Sequence, residues 1–85
     1  MKEKKAGIVY QDHKQLLKKI GRKLARKRKE LGYKNADVFT YDKNINRSQY
    51  GKYEAGSENM RFKTLVKTIN LLGFTFESFF SKDFD

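Results

Sequence analysis

The chain is 85 residues long, with no cysteine, no proline and a formal net charge of +10. That length supports one small core, and the lack of cysteine excludes disulfides and thiolate metal sites. No apolar run reaches the roughly 18–20 residues of a membrane span and the N-terminus lacks a signal peptide's apolar stretch, so a cytoplasmic protein with no membrane contact is expected.

The charge is unevenly spread. Residues 1–34 hold 13 cations against three acids, Glu3, Asp12 and Glu30, whereas residues 35–85 hold seven of each. The whole surplus lies in the first part of the chain. Such a field favours a polyanion, whether nucleic acid, an anionic membrane or an acidic protein.

In chain order, residues 1–12 read as a weakly ordered basic arm, with Ile8, Val9 and Tyr10 available to anchor it. A first helix begins near His13. Leu16, Leu17, Ile20, Leu24 and Leu31 recur at three and four, and Lys18, Lys19, Arg22, Lys23, Arg26, Lys27 and Lys29 fill the wet side. Gly32 is the expected stop. A second helix starts after Asn35, an N-cap type with Asp37 in the first turn, and runs to about Lys43. Asn44 stands where a left-handed residue would turn the chain.

A third helix follows at once. Asn46 caps it, Gln49 stands three residues on as in a capping box, and Ile45 with Tyr50 suits a hydrophobic staple. After Gly56 comes the polar loop "SENM". Phe62, Leu65, Val66, Ile69 and Leu72 then mark an amphipathic fourth helix closed by Gly73, and "FTFESFF" a short fifth with Phe76, Phe79 and Phe80 on one side. The fold class is therefore all-α, a compact five-helix bundle spanning residues 13–80 with a short tail at 81–85.

The second and third helices are joined too tightly for an antiparallel hairpin, which forces the sharp crossing of a helix-turn-helix. In that arrangement the inner residues of the third helix, here Tyr50 and Tyr53, hold it to the body, and its outer residues enter the DNA major groove. The expected base-reading residues are Arg47, Ser48 and Lys52, with Gln49 at the edge, on a recognition helix over 47–54. Arginine offers guanine two donors, and serine and lysine suit base edges or phosphates. Lys34 and the basic side of the first helix, Lys23 and Lys27 included, would attract phosphates. The helix N-termini capped by Asn35 and Asn46 would add backbone N–H groups.

The string "IGRKLARKRKELG…NADVFTYDKNINRSQYGKYEAG…FKTLVKTINLLGFTFESFF" resembles the Xre/Cro type of phage-repressor-like helix-turn-helix domain over about residues 16–80. The resemblance is carried chiefly by "RKELG", "YEAG" and "LLGFTFESFF". It implies a DNA-binding transcriptional regulator, base reading by Arg47, Ser48 and Lys52, and a structural ion pair between Arg28 and Glu54. It also departs from that pattern. Ala36 replaces a phosphate-contacting Gln, Thr40 a small Ala, Asn44 a Gly and Met60 a Pro.

His13 is the only histidine and has no Cys or second His to share a metal. No nucleophile–base set and no glycine-rich phosphate loop is present, so neither enzyme activity nor a cofactor is expected. Three functions stay open: a sequence-specific regulator of double-stranded DNA, an antitoxin-like module binding both operator and a toxin-like protein, and a non-specific polyanion binder. Homodimerisation on paired half-sites is compatible with the first. The Phe cluster at 74, 76, 79 and 80 would be mainly core, with a leftover face suited to such a dimer.

Overall fold

The computed structural model describes residues 7–57 and 59–81, and among these the chain is helical with no strand. Five helices follow in order: α1 His13–Glu30, α2 Ala36–Lys43, α3 Arg47–Ala55, α4 Phe62–Leu71 and α5 Phe76–Phe79. The expected 1–12 arm and 81–85 tail lie partly outside the described residues. Ile8, Val9 and Tyr10 are exposed and do not anchor the chain.

Side chains set the helix starts. Asp12 accepts from the Lys14 N–H (2.9 Å), Asn35 from Val38 (2.9 Å) and Asn46 from Gln49 (2.7 Å). Half of the capping box expected on α3 forms. The Gln49 side chain makes no return bond to Asn46 and stays on the surface; the full reciprocal box belongs to α5, between Thr75 and Ser78.

The first four helices end alike, with a left-handed residue at Gly32, Asn44, Gly56 or Gly73. In α1, Gly32 N–H donates to Lys29 O (2.9 Å) and Tyr33 N–H to Arg28 O (3.2 Å), which satisfies carbonyls the helix leaves open. Asn44 repeats these bonds at the end of α2 with φ of 57°, so Asn serves where glycine is commoner.

Packing centres on α1 and α3. Their backbones touch because two glycines sit at the crossing. A Cβ at Gly21 would strike the Tyr53 carbonyl oxygen at 2.5 Å, and one at Gly56 would meet Lys18 Cα at 2.7 Å. Leu24, Phe39, Tyr50, Tyr53, Leu65, Ile69, Leu72 and Phe79 form the core. Burying such side chains contributes about 1.5–3 kcal/mol each. Tyr33 meets Phe39 edge-on at 5.2 Å, and Phe39 meets Tyr50 tilted at 5.1 Å, so three rings pack in series. Thr40 fits the α2 interior because its hydroxyl donates to the Ala36 carbonyl (2.8 Å). Two apolar residues depart from the expected stripes. Leu31 is half exposed as the cap of α1, and Phe62 is 67 % exposed, with its ring edge-on to Phe76 at 5.4 Å. Among the described residues no helix is long and apolar enough to cross a membrane.

Candidate nucleic-acid interface

The two sides of α3 differ in chemistry. Inward, Tyr50 and Tyr53 are each 2 % exposed and fix the helix to the core. Glu54 accepts from Arg28 through both carboxylate oxygens, Nε to Oε2 at 2.7 Å and Nη2 to Oε1 at 3.1 Å. The third guanidinium nitrogen, Nη1, donates to the Tyr33 carbonyl (2.7 Å), so one arginine ties α1 to α3 and to the start of the α1–α2 loop. Its hydrogen bonds to Glu54 raise the Arg28 pKa against the opposing effect of burial. The Tyr50 hydroxyl is buried beside the Arg28–Glu54 pair, close enough to feel both groups but without a hydrogen bond of good geometry. Burial first, and the Glu54 carboxylate second, push its ionisation far above the ordinary tyrosine value.

Outward, Arg47, Ser48, Gln49 and Lys52 are all exposed. Asn46, Ser48, Gln49 and Lys52 line one shallow concavity beside the first turn of α3. Three residues, Asn44 to Asn46, separate this turn from α2. The free N–H groups at the start of α3 therefore lie among polar and cationic side chains, an arrangement that accepts anions.

Arg47 does not extend freely from this face. Its Nε forms an ion pair with Asp37 Oδ1 in the first turn of α2, with both side chains more than half exposed. The guanidinium lies across Gly51, where a Cβ would meet Arg47 Nη1 at 2.5 Å. Gly51 costs about 1 kcal/mol of helix propensity relative to Ala, and this is the space it opens.

The residues expected at phosphates divide. Lys34 and Asn35 are exposed at the entry to α2, and Asn46 at the entry to α3. The carboxamide oxygens of Asn35 and Asn46 are engaged in capping, which leaves their NH₂ groups out of the caps. Lys23 is a correction. It is 3 % exposed, its ammonium donates to the Phe79 carbonyl at the end of α5 and lies 4.8 Å from the Phe79 ring centre. Helical spacing places it beside Ile20 and Leu24 rather than on the wet side, and its long stem packs while its head finds an acceptor. Lys27 keeps part of its surface and is engaged within the chain. Its side chain is 21 % exposed, paired with Glu30 at 3.2 Å and set 5.4 Å above the Phe74 ring. Lys23 ties α1 to α5, and Lys27 reaches the loop between α4 and α5 at Phe74.

Two features of the site lie outside the sequence expectations: Asp37 as a partner for Arg47, and Gly21 as the contact point of α1 and α3. A glycine interrupting an otherwise strong helical pattern was the available signal for Gly21. Asp37 had none, because only the crossing of α2 and α3 brings residues ten apart together. Comparison of the chain with protein-family models, curated proteins and solved structures finds no match.

Proposed function

We infer that the chain is a sequence-specific binder of double-stranded DNA that works in the cytoplasm as a transcriptional regulator. In this reading α2 and α3 act as a helix-turn-helix of the phage-repressor-like type, with α3 in the major groove. One observation carries it: α3 buries Tyr50 and Tyr53, leaves Arg47, Ser48 and Gln49 exposed in its capped first turn, and adds Lys52 from its last turn to the concavity that Ser48 and Gln49 line. A helix built only for stability has little reason to gather its cations and amides where its N–H groups are open.

The roles divide by chemistry. Arg47 reads a guanine, Ser48, Gln49 and Lys52 contact neighbouring base edges or phosphates, and Lys34 with the N-termini of α2 and α3 sets the register on the backbone. Selection from random duplex DNA at about 0.15 M salt tests the reading, since screening there removes most weak electrostatic binding. A recovered motif, palindromic for paired half-sites, supports it. Lys34→Ala should then weaken every duplex alike and lower the log–log salt slope by about 1, whereas Arg47→Ala should erase a base preference worth roughly 1–3 kcal/mol. Recovery of unrelated sequences whose binding vanishes with salt would refute it.

A further inference from the structure

We propose that Asp37 is a positioning residue that, with Gly51, presents Arg47 end-on to a single guanine. The inference rests on the DNA-reading function proposed above and adds to it a specificity determinant on the neighbouring helix.

The guanidinium offers two forks for the O6 and N7 of guanine, one using Nε and one using the two terminal nitrogens. Asp37 Oδ1 takes the Nε–H, and among the described residues nothing takes either terminal nitrogen. Only the Nη1/Nη2 fork is left. Gly51 leaves room for this fork to rest on the helix, since a Cβ there would stand 2.5 Å from Nη1 and shift it. A free arginine side chain loses much rotamer freedom on binding; one already tethered at Nε loses less, and the difference appears as affinity for the base that fits.

Simple electrostatics makes the opposite forecast, which gives the test its edge. An exposed carboxylate at a DNA surface repels phosphates, so removing it strengthens binding to any duplex. Exposed ion pairs also do little for folding, so an Asp37 variant stays folded and its binding can be read directly.

The experiment compares the full chain with Asp37→Ala, Asp37→Asn and Gly51→Ala, both in selection from random duplexes and in titration of the selected motif. The motif is then titrated again with its guanine replaced. Asp37→Ala should bind scrambled DNA as well as or better than the parent, yet lose about tenfold of its preference for that guanine, with the other motif positions unchanged. Asp37→Asn keeps an acceptor oxygen for Nε–H and should lose less. Gly51→Ala should lose preference at the same base while melting no lower than the parent. If the parent yields a motif whose guanine depends on Arg47 but shifts less than about twofold in Asp37→Ala, the positioning role is overturned and the DNA-reading function stands. If the parent yields no motif, both fall.

Discussion

Two arginine–carboxylate pairs flank α3, and they differ in almost everything except chemistry. Arg28 and Glu54 meet where α1 crosses α3, with side chains 6 % and 15 % exposed, two parallel bonds and a third to the Tyr33 carbonyl. Arg47 and Asp37 meet at the mouth of the α2–α3 corner through one bond, in water. A buried charge is tolerable only when its donors are matched, so the inner pair is bound up with the fold. The outer pair has little effect on stability and is free to have been shaped by what α3 touches.

The sharpest way to break this comparison is to remove one carboxylate at a time. Glu54→Ala leaves a buried guanidinium with only the Tyr33 carbonyl, at an expected cost of about 3–5 kcal/mol. That is comparable with the entire net stability of a core this small, so a chemical-denaturation curve should show a largely unfolded chain. Asp37→Ala, by contrast, should move the curve by less than about 1 kcal/mol. Equal losses from the two variants would show that burial does not separate the pairs.

A second contrast lies along α1, between Lys23 and its exposed neighbours. Lys23→Ala removes a buried stem and orphans its place beside Phe79, and should cost about 2 kcal/mol in a thermal melt. Lys23→Met keeps the stem and should cost less than about 1.5 kcal/mol. Neither variant should change the salt dependence of duplex binding once folded. A drop of about 1 in the log–log slope for Lys23→Met would return Lys23 to the phosphate contacts.

These contrasts mark what the sequence could and could not disclose. Helix ends were legible because their devices are local: Asn35 and Asn46 cap within three residues, and Gly32, Asn44, Gly56 and Gly73 close within five. The inward Tyr50 and Tyr53 followed from spacing alone. For Lys23 charge and position disagree: it lies one turn after Lys19 but also at the margin of the Ile20–Leu24 stripe, and only the placement of α5 decides between them. The Arg47–Asp37–Gly51 arrangement depends on a crossing angle, which no local pattern encodes. Phe62 was expected inward, and its exposure reflects its place at the first turn of α4, where the stripe outruns the core.

The smallest effect sharpens the inner pair further. Tyr50 buries a hydroxyl without a well-formed hydrogen bond beside an arginine and carboxylate already matched to each other. Tyr50→Phe deletes that hydroxyl and keeps the ring on Phe39, so stability at neutral pH should rise by about 1 kcal/mol. The pH dependence gives an independent reading. The phenol's pKa is raised in the folded chain by burial and by Glu54, while in the unfolded chain it ionises near 10. Above about pH 10 the unfolded state alone releases this proton, so stability falls as pH rises, by up to roughly 1.4 kcal/mol per unit for one group. Below that pH the group adds no slope. Tyr33, raised by its hydrogen bond to Asp42, is present in both chains and cancels from their difference. The gap between Tyr50→Phe and the parent should therefore be constant from pH 6 to 9 and widen above about 10. A gap that stays constant through the alkaline limb would mean that the hydroxyl reaches water, and that the seat of Arg28 and Glu54 is wetter than their geometry implies.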